Sequence, residues 1–162
     1  MIPIHIIAFG KLKEPHFRLA AEEYTKRLGG LCRLSVRELE PAFLPQNPGE
    51  KQIRAALEKE GAALLSAIPQ GAAICAMCVE GTAVPTEDFA VRLDKYALSG
   101  GIAFVIGSSY GLAESVKKQA AWRLSLSPMT LPHELARVVL LEQIYRARMI
   151  CSGRQYHKTI NN

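Results

Sequence analysis

Apolar positions along this chain follow two rhythms that take turns. Ile2, Ile4, Ile6 and Ile7 to Phe9 form a β-branched run, and from Pro15 to Leu28 the residues Phe17, Ala20, Ala21 and Tyr24 return at helical spacing until Gly29-Gly30 stops them. Cys32 to Leu39 alternates apolar and basic residues, which predicts a half-exposed strand near a sheet edge with Leu34 and Val36 inward and Arg33, Ser35 and Arg37 outward. The proline-rich stretch Glu40 to Pro48 reads as a loop. A helix is expected next, capped by Asn47, with Pro48 at its first position, Glu50 at capping-box spacing and Ile53, Leu57, Leu64 and Ile68 on one face. Ala72 to Val79 is continuously apolar, as in a strand covered on both sides, and ends at Glu80-Gly81. Thr86 is placed as the cap of a helix running to Leu98, anchored by Phe89 and Leu93. Ile102 to Ile106 makes a second wholly apolar strand. The loop Gly107-Ser108-Ser109-Tyr110-Gly111, a short helix to Ala121 and a strand around Arg123 to Ser127 follow it. The last element is an apolar helix after Pro132, carrying Leu135, Val138, Val139, Leu141, Ile144 and Tyr145.

Strand and helix therefore alternate throughout. This predicts an α/β fold, one domain over residues 1–162, with a mostly parallel sheet and helices on both faces. In such sheets ligands sit at the carboxyl ends of the strands. Three loops fall there: Glu80-Gly81, Gly107 to Gly111, and Ser127 to Pro132. The third is bracketed by Pro128 and Pro132, whose fixed φ keeps the intervening amides and carbonyls out of regular ladders and free to face a ligand.

Composition narrows the function without naming it. The 162 residues are 49% hydrophobic and 22% charged, in the range of a globular domain, and no apolar run is long enough to span a bilayer. Met1 to Phe9 lacks the basic segment and small-residue cleavage site of a signal peptide, so a cytoplasmic location and no membrane contact are expected. A net charge of +5 permits a polyanionic partner. Cys32, Cys75, Cys78 and Cys151 offer no second pair to complete a zinc site, and no metal is expected. Cys75 and Cys78 fall in a strand on opposite faces, unlike a redox pair opening a helix.

Two chemistries suit the loops. Gly107-Ser108-Ser109-Tyr110-Gly111 matches the G-x-S-x-G nucleophile elbow of serine hydrolases, with Glu114, Glu134 or Glu142 and His157 left to complete a triad. Alternatively Gly107 lets backbone approach a nucleotide-like ligand, held by main-chain groups of the proline-bracketed loop and covered by Leu126, Met129 and Leu131.

Ala8 to Glu14 (A-F-G-K-L-K-E), Glu23 to Leu28 (E-Y-T-K-R-L), Phe104 to Gly107 (F-V-I-G), Gly111-Leu112 and Tyr156 to Lys158 (Y-H-K) fix a pattern that also holds the long stretch L-S-L-S-P-M-T-L-P-H-E-L-A-R-V-V-L-L-E-Q-I-Y-R-A. Essentially end to end, the chain resembles the RlmH family of SPOUT-class methyltransferases, which modify N3 of a pseudouridine in 23S ribosomal RNA. The resemblance implies a C-terminal deep trefoil knot and an S-adenosyl-L-methionine site formed by Met77, Gly107, Leu126, Ser127, Pro128, Met129, Thr130 and Leu131. It also implies a homodimer in which the tail of one subunit covers the cofactor pocket of the other, acting on 23S rRNA within the ribosome. Ser108 departs from the family pattern, which has a second glycine directly after the first, and Thr159 to Asn162 extend past the family's end.

Methylation at N3 requires removal of a proton and an unpaired base. His133, Arg137, Tyr156 and His157 are the candidates for contact with that base, Tyr156 and His157 on the strength of the resemblance, while His133 has a capping or packing role as its alternative. Lys11, Lys13, Arg18, Lys26, Arg27, Arg33 and Arg37 could form an RNA footprint, and Glu142 is expected to pair with an arginine of its helix. Behind the methyltransferase stand two other readings: a catalytically impaired RNA-binding module of the same fold, and a serine hydrolase using Ser109.

Overall fold

The computed structural model describes residues 1–157. Lys158 and the extension Thr159 to Asn162 lie outside them. The order is β1 (Pro3–Phe9), α1 (Pro15–Leu28), β2 (Arg33–Leu39), α2 (Glu50–Ala67), β3 (Ala73–Thr82), α3 (Thr86–Lys95) with a 3₁₀ turn Tyr96–Leu98, β4 (Ile102–Ile106), α4 (Glu114–Gln119), β5 (Trp122–Leu124) and α5 (His133–Cys151). The five strands form one parallel sheet in the order β2-β1-β4-β3-β5. The alternating strand and helix pattern is thus realised as a sheet whose central strands are covered on both faces.

Strand residues alternate between two cores because successive side chains point to opposite faces. Ile4, Ile6, Cys75, Ile102 and Phe104 pack under α1, α3 and α5. Ile7, Phe9, Ala76, Ala103 and Val105 pack under α2 and α4, against Leu64, Ala67 and Val116. This explains why β4 is apolar at every position and fully buried. Its neighbour by two places, β2, is the edge strand foreseen from its basic alternation. Leu34 is half-buried as expected, but Val36 is 42% exposed, because no further strand or helix closes over this part of the edge.

Two helix starts shift. Asn47 takes a positive φ of 51° in the loop, and α2 begins at Glu50 with Gly49 before it, whose amide donates to Gln52 Oε1 at 2.8 Å. The capping contact thus comes from Gln52, two residues beyond the expected Glu50 box. Thr86 is the first residue inside α3, after Pro85, and its hydroxyl donates to Gln143 Oε1 of α5 at 2.9 Å, tying two helices together in place of capping one.

A candidate cofactor cavity at the strand ends

The loops after β4 and β5 converge on the end of β3, where Glu80-Gly81 belongs to the strand, which runs to Thr82, and not to the expected loop. They enclose a cavity of about 230 Å³ walled by Met77 to Glu80 of β3, Ile106, Gly107, Ser108, Gly111 and Leu112 after β4, and Leu124 to Ser127, Met129, Leu131 and His133 after β5. Each wall has a local cause. Along β3, both Met77 and Thr82 pair with Leu124, so the residues between them bulge out of the ladder over the cavity. Gly81 permits the return: a Cβ there would lie 2.8–2.9 Å from the Arg123 carbonyl. After β4 the chain folds tightly back, the Gly111 amide donating to the Ser108 carbonyl at 2.9 Å. A Cβ on Gly107 would lie 2.3 Å from the carbonyl carbon and oxygen of Gly111, so the turn itself requires this glycine, before any ligand is considered.

The third wall is stiffened from inside. Ser125 is buried and its hydroxyl donates to the Ser127 carbonyl at 2.9 Å, while Ser127 Oγ accepts the Met129 amide at 3.0 Å. Among the described residues the amides of Leu126 and Leu131 have no main-chain acceptor. Leu131 lies between the two prolines and is a free group of the expected kind, whereas Leu126 precedes Pro128 and the intervening Met129 amide is taken by Ser127. Met129 is 77% exposed at the rim, Pro128 lies outside the lining, and Thr130 faces an adjoining hollow of about 500 Å³. That hollow shares Ser108, Gly111, Leu131 and His133 with the cavity, which puts His133 at the junction of the two spaces.

Two lining or supporting groups, Lys117 and Glu60, were not among the expected site residues, and Cys78 enters as part of the wall. Lys117 of α4 lines the cavity and donates to Glu80 Oε1 at 2.5 Å. That hydrogen bond holds the Glu80 carboxyl below, and the Lys117 ammonium above, their ordinary ranges. Cys78, also in the wall, is pushed up as a thiol by burial first and by Glu80 second, so it stays neutral there. Glu60 of α2 is 6% exposed and accepts the Ser108 hydroxyl at 2.6 Å. Its signal was legible, since Glu60 interrupts the apolar face of Ile53, Leu57 and Leu64 at helical spacing.

The remaining candidates lie elsewhere on the molecule. Arg137 is 5% exposed and donates to Glu38 Oε2 at 2.9 Å and to the Gly10 carbonyl at 3.2 Å, outside the cavity lining. Tyr156 stacks edge-on to Tyr145 and donates to Glu142 Oε1 at 3.3 Å, and Arg146 sits over its ring. Desolvation first, and then the Glu142 carboxylate, push the Tyr156 phenol up, so it remains protonated. His157 lies 2.8 Å from Glu87 and 3.3 Å from Arg146. Glu142 pairs with Arg146, as foreseen. Ser109 sits in the Ser108–Gly111 turn, with α4 starting only at Glu114. A nucleophile elbow needs the serine at the strand-to-helix corner, so the hydrolase reading is set aside.

A family model described as "Predicted SPOUT methyltransferase" matches residues 2–157. The chain belongs to the SPOUT methyltransferase family. Among the SPOUT relatives, proteins named ribosomal RNA large subunit methyltransferase H from Clostridium beijerinckii and Bacillus thuringiensis are each 44% identical over 157 residues, which is 96% of this chain and 99% of theirs. Solved structures share the fold at lower identity. A probable methylase family protein from Haemophilus influenzae aligns with a TM-score of 0.56 at 15% identity, covering 98% of this chain and 72% of the other. A structure from work on 2-OH methylation of C/U34 on tRNA aligns with a TM-score of 0.51 at 22% identity, covering 94% and 99%.

Proposed function

We propose that this enzyme transfers a methyl group from S-adenosyl-L-methionine to N3 of a pseudouridine in 23S ribosomal RNA, working on the ribosome in the cytoplasm. The observation that carries the reading is the cavity at the strand ends, walled by six of the eight residues the family resemblance assigns to the cofactor: Met77, Gly107, Leu126, Ser127, Met129 and Leu131. Relatives nearly as long as this chain, at 44% identity, bear the name of an rRNA large subunit methyltransferase.

The residues suit a nucleoside-bearing donor. Ile106, Leu124, Leu126 and Leu131 supply apolar faces for a flat ring, and the unbonded amides of Leu126 and Leu131 supply donors to its edge nitrogens. When bound, S-adenosyl-L-methionine supplies an electrophilic methyl on a sulfonium. Met77 and Gly107 would bound the cofactor opposite the loop, and Pro128 and Thr130 would fix that loop's course from outside. The adjoining hollow beside His133 is the entry for the unpaired base.

Tyr156 and His157 are assigned to the cavity of a second subunit. Within their own chain both rest on Glu142, Arg146 and Glu87, away from the cavity lining. The protonated Tyr156 phenol would orient the base as a donor. Val138, Val139 and Tyr145 remain half-buried on α5, a surface suited to a homodimer. Arg137 would act from its buried pair with Glu38 by fixing α5 to the β1–β2 edge. The C-terminal segment, with β5 beyond β3 and α5 returning over α1 and α3, is read as a deep trefoil knot.

Titration calorimetry with S-adenosyl-L-methionine tests the cavity assignment. Wild-type protein should bind one equivalent per subunit, and Leu131→Arg, which places a charge in the adenine slot, should weaken binding at least about tenfold. Equal binding by the two proteins would remove the cofactor from this cavity.

A further inference from the structure

Ser108 lines the methyl-donor cavity, and its hydroxyl turns to a carboxylate that no part of the proposed chemistry uses. Glu60 Oε1 accepts the Ser108 hydroxyl at 2.6 Å, and Glu60 Oε2 accepts the amide of Ala42 at 3.0 Å. The carboxylate is buried, and among the described residues no cation lies within ion-pair distance of it. A buried carboxylate without a cation is destabilising unless hydrogen bonds satisfy it, and its oxygens here are satisfied by two loops that otherwise belong to different parts of the chain.

We infer that Glu60 is a positioning residue for the methyl-donor cavity, setting the Gly107–Gly111 turn from α2 through Ser108. The inference rests on the function proposed above. The turn is a small rigid body, closed by the Ser108–Gly111 bridge and packed so tightly that Gly107 has no room for a side chain. Gly107, Ser108 and Gly111 all line the cavity, so the tether at Ser108 fixes where that wall stands. The other end of the tether is firm. Gly61, next to Glu60, lets α2 approach until a Cβ would lie 2.9 Å from that of Ala113, and Leu64 and Ala67 bury against Leu112, Ala113 and Val116. Those apolar contacts hold α2 in place without the carboxylate. What depends on Glu60 is the alignment of the wall and the seat of Ala42 in the loop before α2.

Glu60→Gln keeps an acceptor for the Ala42 amide and a donor for Ser108 Oγ, whereas Glu60→Ala removes both. Calorimetric titration with S-adenosyl-L-methionine, joined to methyl-transfer kinetics on 23S rRNA, separates the cases. Glu60→Ala is expected to bind the cofactor about tenfold more weakly, the factor that loss of a hydrogen bond to a charged group implies, and to raise KM for the cofactor while leaving KM for RNA unchanged. Glu60→Gln should restore binding to within about twofold, and Ser108→Ala should fall between. Folded Glu60→Ala with wild-type cofactor affinity would overturn the inference. Should Glu60→Ala fail to fold, Ser108→Ala decides, and unaltered affinity in that variant would overturn it equally. Wild-type protein that binds no cofactor would be a different failure, that of the function itself, and this inference would fall with it.

Discussion

At the scale of single residues, the cavity is governed by places where a side chain cannot be. Gly107 reads from sequence as a point of backbone approach to a ligand, and the structure supplies a nearer reason: its missing Cβ makes room for the Gly111 carbonyl. Gly107→Ala should therefore push the turn off its position and reduce S-adenosyl-L-methionine affinity at least about tenfold, which corresponds to about 1.4 kcal/mol of lost fit. Calorimetry on the folded variant measures it, and retained affinity would show that the turn yields without cost to the site. Leu131 was legible as lining because prolines flank it, a local cue, whereas Leu126 and Ser127 precede the first proline. Lys117 and Glu80 were not legible as partners, since 37 residues separate them and only the fold of α4 over the β3 bulge brings them within 2.5 Å. Arg137 stood out as an arginine on an apolar helix. Its partner Glu38, 99 residues earlier, is equally hidden from sequence.

Elements were the most legible level, because period carries through the five strands and five α-helices of the described residues without regard to tertiary partners. The errors sit at helix starts, where Thr86 chose Gln143 over its own helix and Gln52 took the capping contact at Gly49, at strand ends, where β3 runs on to Thr82 and β5 stops at Leu124, and at the exposed Val36 of the edge strand. Nothing local distinguishes those choices. The edge pair β1–β2 carries a pH-dependent contact of its own: His5 faces Ser35 in register and meets its hydroxyl at 2.6 Å. Burial first, and then Arg33, hold the imidazole below its ordinary 6.5. The folded state thus resists protonation more than the unfolded chain does. Its contribution is fully present above about pH 6.5 and is lost as pH falls through the lower folded value. Urea denaturation at pH 7.5 and pH 5.5 should show a decline in stability that His5→Asn flattens. An identical slope in the variant would assign the pH dependence to other groups.

For the whole molecule, sequence period gave the parallel sheet and its two cores but not the path of the C-terminal segment or the subunit arrangement, which depend on contacts far apart in the chain. Tyr156 and His157 lie against Glu142, Arg146 and Glu87 of their own chain, away from the cavity lining, and the proposed homodimer would carry them to a neighbour's cavity. Mixing two inactive variants tests this. Gly107→Ala lacks a working cavity, and the double variant Tyr156→Phe, His157→Ala lacks a working tail. If the site is built from two subunits, refolding them together restores activity in the one mixed site of each heterodimer, about a quarter of wild type for random pairing. Activity that stays absent in verified heterodimers would place cavity and tail in the same subunit.

Methyl transfer to one position of ribosomal RNA is tested most directly with a labelled methyl donor. Purified protein, radiolabelled S-adenosyl-L-methionine and ribosomes lacking the modification should yield one methyl group per ribosome. Nucleoside mass spectrometry of the 23S rRNA should then place it on N3 of a single pseudouridine. A protein that binds the cofactor yet leaves such ribosomes unlabelled, or labels a different nucleoside, would contradict the account.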